Sequence, residues 1–94
     1  MNLSPDELIV RRDDRHLTNP VGEETVLLDL NSGDYLGLDA VASSIWQSLR
    51  TPQSLDSIVK NLMAEYEVDE RQCRRDTLDF LQRIDSLGLL QRAG

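Results

Sequence analysis

At 94 residues the chain has room for one domain, 1–94, built around one modest core. Apolar residues make up 39% and charged residues 29%, a balance that describes a folded soluble chain and excludes an intrinsically disordered one. The formal net charge of -7 speaks against nucleic acid or an anionic membrane surface as a partner, and no apolar run reaches the length of a membrane span.

No signal-peptide pattern opens the chain, and the one cysteine, Cys73, has no internal disulfide partner. The cytoplasm is the expected location. Met1 to Pro5 is expected to be a disordered end. Leu8, Ile9 and Val10 make a first strand that can run on to Arg12. The mixed charges from Arg11 to Arg15 read as a solvated strand end or loop. His16 is the only histidine, and no cysteine or carboxylate stands at a ligand spacing from it, so no metal is expected. Thr18 to Gly22 carries turn and breaker residues, which makes 13–23 a connecting loop.

A hairpin follows. Val26, Leu27, Leu28 and Leu30 are apolar enough for a buried strand. Asn31, Ser32, Gly33 and Asp34 supply the positive φ angles of a tight reversal. Tyr35, Leu36 and Leu38 resume the apolar pattern around Gly37, and a glycine inside a strand marks a bulge or a close backbone approach. Asp34 to Leu38 reads as a sheet edge kept open for a peptide.

Asp39 is placed to cap a first helix, in which Val41, Ala42, Ile45, Trp46 and Leu49 share one face. Trp46 is assigned to the core. Ser54 caps a second helix with apolar residues at Leu55, Ile58, Val59, Leu62, Met63 and Tyr66, a pattern that a core stripe explains without a cofactor. The third helix is predicted from Asp69 to Leu87, with a capping box of Asp69 and Gln72 and a left-handed cap at Gly88. Its core stripe is Cys73, Thr77, Phe80, Ile84 and Leu87. Leu81 borders that stripe. Leu78 lies further round, ringed by charge, and suggests a second contact surface.

Three strands then three helices make an α+β domain, a small antiparallel sheet packed on helices in a winged-helix-like arrangement. Such a fold raises DNA binding, with Arg71, Arg74 and Arg75 early in the last helix. Glu70, Asp76, Asp79 and Asp85 share that helix, so no continuous basic face survives. Catalysis lacks its parts: nothing brings Cys73 and His16 together, and phosphate loops, metal motifs and nucleophile elbows are absent. No cofactor is expected.

From Glu24 to Leu90 the chain resembles the PqqD-like family, whose members are recognition elements for ribosomally made, modified peptides (RiPPs). The resemblance lies in Leu28 to Leu38, LDLNSGDYLGL, in Ala42 to Trp46, in Thr51 to Leu55, and in Leu81 to Leu90, LQRIDSLGLL. It implies a three-stranded sheet packed on three helices. It implies binding of a precursor's leader peptide as an added strand on the third strand, in a groove completed by the third helix. The chain looks most like the stand-alone elements of lasso peptide clusters, whose partners would be a separate leader peptidase and a macrocyclase. It departs from members serving pyrroloquinoline quinone synthesis. Asn31-Ser32-Gly33 and Arg50-Thr51-Pro52 stand where those tend to carry Pro-Glu and Cys-Asp-Gly, and Asp39 replaces a common asparagine. A peptide chaperone for a radical SAM enzyme is the alternative.

Strand addition places the binding site along Asp34, Tyr35, Leu36, Gly37 and Leu38. Its expected pocket is Leu28, Leu30, Tyr35 and Leu36 on the sheet, with Arg74, Leu78 and Leu81 on the helix. Arg71, Arg74 and Arg75 are expected to meet leader carboxylates. Which face of the third strand looks inward stays open, because a one-residue slip exchanges the faces.

Overall fold

The computed structural model describes residues 3–93. Its elements are β1 (Ile9–Arg11), β2 (His16–Val21), β3 (Glu24–Asp29), β4 (Tyr35–Leu38), α1 (Ala40–Ser48), α2 (Leu55–Glu65), α3 (Glu70–Ser86) and β5 (Leu90–Arg92). β2, β3 and β4 form an antiparallel sheet in that order, and β1 pairs with β5 in a separate antiparallel ribbon. This is the α+β class expected, with three helices beside a three-stranded antiparallel sheet.

The membership of that sheet differs from expectation. The stretch 13–23, read as a loop, contains β2, which pairs with β3 from His16 opposite Asp29 to Val21 opposite Glu24. Pro20 belongs to this strand, and an edge strand tolerates a residue without an amide proton. The first strand does not join the hairpin; it runs against β5, with Ile9 opposite Arg92.

Polar bonds explain why β2 looked like a loop. His16 is buried although polar. The indole Nε1 of Trp46 donates to the Thr18 hydroxyl at 3.1 Å, and that hydroxyl lies 3.0 Å from His16 Nδ1. An indole only donates, so the Thr18 proton is free to go to Nδ1. The imidazole then carries its own proton on Nε2, which donates to Asp13 at 3.2 Å. Arg11 closes the cluster, 5.0 Å above the Trp46 ring and 2.8 Å from Asp13. The inner face of β2 is therefore satisfied by hydrogen bonds where an apolar pattern would have announced a strand.

The hairpin forms as its residues dictate. The buried Asp29 carboxylate accepts from the Asn31 amide and the Ser32 hydroxyl, each at 3.0 Å. Gly33 takes φ +79° and donates to the Asp29 carbonyl. Helix starts are capped by Asp39, Ser54 and Asp69. Ser54 and Ser57 form a reciprocal capping box. The box expected at Asp69 is only half made: Asp69 accepts from the Gln72 amide, while the Gln72 side chain turns to Asp76 at 2.8 Å. After α3, Gly88 adopts φ +76°. Its amide bonds the Asp85 carbonyl and the Leu89 amide bonds that of Ile84, a Schellman closure that drops Leu89 and Leu90 into the core.

The core centres on Trp46, Leu49, Ile58, Leu81, Ile84 and Leu89, all nearly inaccessible. Each contributes on the order of 1.5–3 kcal/mol of apolar burial. Of the expected loose end, residues 1 and 2 lie outside the described residues. From Leu3 the chain packs against the core, and the Pro5 carbonyl accepts from the Asp56 amide. Among the described residues no helix is long and apolar enough to cross a membrane.

Candidate functional site

Among the described residues β4 pairs with β3 on one side only. The register runs from Leu28 opposite Tyr35 to Thr25 opposite Leu38, without a bulge. Just before it, the Asp29 amide donates to the Asp34 carbonyl at 2.9 Å. Bonded and non-bonded pairs alternate along an antiparallel ladder, so Leu36 and Leu38 aim their amides and carbonyls at β3. Tyr35 and Gly37 aim theirs at the open edge.

Side chains alternate as well. Thr25, Leu27, Asp29 and Leu38 are buried, while Tyr35 is 73% exposed. Leu36 and Leu38 therefore face inward, and Tyr35 and Gly37 lie on the outer face with Leu28 and Val26. The face left open by the sequence is decided by which of the two sets meets the helices.

Two open cavities lie between β4 and α3. The one beside the first half of β4 holds about 350 Å³, lined by Asp34, Tyr35 and Leu36 on the strand side and by Arg83, Ser86 and Leu87 on α3. The other, about 510 Å³, begins at Gly37 and Leu38 and is walled by Val41, Ile45, Cys73, Thr77, Phe80 and Arg83 among others. Arg83 belongs to both. The lining of the larger is mainly apolar, with Asp39, Asp76 and Asp79 at its margin. A strand-sized trough with backbone groups on one wall, an apolar recess beside Gly37 and Leu38 and a more polar one beside Asp34 and Tyr35 is what an extended peptide needs.

Of the residues singled out in the sequence, Asp34, Tyr35, Leu36, Gly37 and Leu38 come together along this trough. The helix set does not. Leu81 is a fully buried core residue rather than a border one. Leu78 is half-buried and packs against the core, and Arg74 binds Asp56 of α2 at 2.7 Å. None of Arg71, Arg74, Arg75, Leu78 and Leu81 lines either cavity. Leu28 lies on the outer face, and Leu30 sits in the turn, 51% exposed.

The groove wall on α3 is instead Asp76, Asp79, Phe80, Arg83 and Leu87. The sequence pattern assigns Phe80 and Leu87 to the core stripe; Phe80 is half-buried and packs against the core while also lining the larger cavity, and Leu87 is exposed. That pair, seven residues apart on the flank of the stripe, was the available signal. A helical wheel shows two flanks and cannot say which meets α2 and which meets the sheet.

Among the described residues no group of three His, Cys, Asp or Glu side chains is placed to hold a metal. Cys73 is buried in the wall of the larger cavity, and His16 is engaged by Asp13 and Thr18. Burial pushes the His16 pKa below its ordinary value, with the Asp13 bond opposing.

The family model described as coenzyme PQQ synthesis protein D (PqqD) matches residues 24–90, from β3 to the start of β5. Among solved structures, the chain is similar to TbiB1 in complex with the TbiA(beta) leader peptide, at 36% identity and a TM-score of 0.78, over 90% of this chain and 98% of that one. It is also similar to a lasso peptide synthetase B1 complexed with the leader peptide, at 26% identity and a TM-score of 0.75, over 88% and 96% of the two chains. No curated protein matches the chain.

Proposed function

The chain belongs to the PqqD family, and from that premise we propose that it is a non-catalytic recognition element for the leader of a ribosomally made precursor peptide. The leader joins the sheet as a strand on the open edge of β4, in the trough closed by α3. The observation that carries this reading is the edge of β4, unpaired among the described residues, facing two cavities of which the larger is mainly apolar, in a chain similar over nearly its whole length to two proteins solved with leader peptides. Those relatives favour lasso peptide biosynthesis over the pyrroloquinoline quinone pathway. The protein then works in the cytoplasm and hands its leader to a separate leader peptidase and macrocyclase.

Tyr35 and Gly37 each offer one donor and one acceptor to the incoming strand. Each bond contributes a net of about 0.5–1.5 kcal/mol, with little dependence on leader sequence. Selectivity comes from the cavities, which take the inward side chains of the leader beside Leu36 and Leu38, against Phe80 and Leu87. A groove built on a strand and a long helix is rigid before binding, so the ordering cost falls mainly on the leader.

Isothermal titration with a synthetic leader from the precursor gene beside this one tests the reading. Submicromolar, saturable binding is expected, and no heat with any neighbouring leader removes the proposal. The competing arrangement is a homodimer joined through the same two edges. Sedimentation distinguishes them, since leader would dissolve such a dimer.

A further inference from the structure

β4 carries a glycine for which the fold itself has no use. Gly22, Gly33 and Gly88 have positive φ; Gly37 does not. The ladder between β3 and β4 passes through it without the bulge that a strand glycine often marks. A Cβ at Gly37 would meet no heavy atom within 4 Å. Glycine weakens a strand through its backbone entropy and the side chain it fails to pack. No contact among the described residues offsets that cost at Gly37.

Its surroundings indicate what does. The missing side chain belongs to the outer face of the sheet, not to the trough, because Leu36 and Leu38 are the inward residues. Gly37 lies opposite Val26, and the neighbouring cross-strand row is Leu17, Leu28 and Tyr35. Val26 and Leu28 are half-buried, and Tyr35 and Leu17 are 73% and 58% exposed. The result is a notch at the very edge of the sheet, floored by bare backbone, with Val26 opposite and Tyr35 two residues along on the same face. It is continuous with the edge to which the leader is proposed to add.

We infer that this notch is a specificity subsite: the leader residue aligned with Gly37 turns an aromatic side chain onto the outer face, over the glycine and against Val26 and Tyr35. The reach requires such a side chain. From an added strand, Val26 is two strand spacings away, roughly 10 Å, and only a long, flat group crosses a bare glycine to meet it. An aromatic laid over a strand glycine replaces the packing that the glycine lacks, and Tyr35 offers a ring edge or face beside it. The leader is then read on both faces, inward by the cavities and outward by the notch. This rests on the strand-addition reading.

The test uses Gly37→Ala and Gly37→Val in the full chain, with thermal melts and titration of the synthetic leader from the neighbouring precursor gene. Both variants should melt at or above the parent, since each removes a strand glycine. Leader affinity should fall several-fold for alanine and by more than about tenfold for valine. The same titrations are repeated with leaders in which each aromatic residue in turn is cut to alanine. For one of those leaders, the parent and Gly37→Val should bind within about twofold of each other, the signature of a direct contact. If folded Gly37 variants bind the leader as well as the parent does, the subsite is refuted and strand addition stands. It is equally refuted if the loss is the same with every leader, because the glycine then acts on the backbone and not on a ring. If Gly37→Val does not fold, Gly37→Ala decides. If the parent binds no leader, strand addition falls and the subsite with it.

Discussion

Proline at two adjacent positions of β4 separates the edge that faces the leader from the edge that faces the fold. The Tyr35 amide points away from β3, so Tyr35→Pro removes no ladder bond, and an edge strand accommodates the ring. In the complex the same change deletes a donor and leaves a leader carbonyl without a partner, at a cost of about 1–3 kcal/mol. That corresponds to a roughly 5- to 150-fold weaker Kd. Tyr35→Ala is the control, because it removes the ring and keeps the amide. Leu36→Pro does the opposite: it removes an amide directed at Leu27 in the buried half of the ladder. It should cost about 1–3 kcal/mol of stability, a fall in Tm of at least about 4 °C for a domain of this size. Thermal melts with isothermal titration of a synthetic leader read both quantities. If Tyr35→Pro keeps its Tm and binds leader as well as Tyr35→Ala, no leader amide-to-carbonyl bond forms along this edge and the reasoning fails.

Phe80→Ala, on the groove wall, should weaken leader binding by about 1–3 kcal/mol, whereas Leu78→Ala, off the groove, should change it by less than about 0.5 kcal/mol; titration giving the reverse order would restore the wall first drawn from the sequence. His16 is held neutral by burial, its pKa lowered from 6.5, so the unfolded chain binds more protons below that value. Stability should be level above about pH 6.5 and decline as the pH falls through it, a decline that urea titrations should find missing in His16→Gln. Gly88→Ala places a side chain at φ +76° and should cost on the order of 1–2 kcal/mol, read as a lower urea midpoint; an unchanged midpoint would mean that the α3 closure does not need glycine.

Much of this protein is local, and what is local was legible. The turn chemistry of Asn31 to Gly33, the caps at Asp39, Ser54 and Asp69, the stripe of α2 apart from Met63, which is exposed, and the glycine stop of α3 depend on neighbours a few residues away. So does the strand Tyr35 to Leu38, with its suspect glycine. What the tertiary structure decided are pairings across the chain. β2 hides its strand character because His16 and Thr18 are satisfied by Asp13 and by Trp46, which lies 28 residues from Thr18. β1 finds its partner in β5 at the other end of the molecule, a closure that no short-range pattern encodes. The inward face of β4 and the groove-facing flank of α3 follow from how the hairpin docks on the helices. Period and propensity leave both undetermined, because a strand has two faces and an apolar stripe two flanks. Contact chooses between them, and here it placed Leu81 in the core and Phe80, Arg83 and Leu87 beside the open strand.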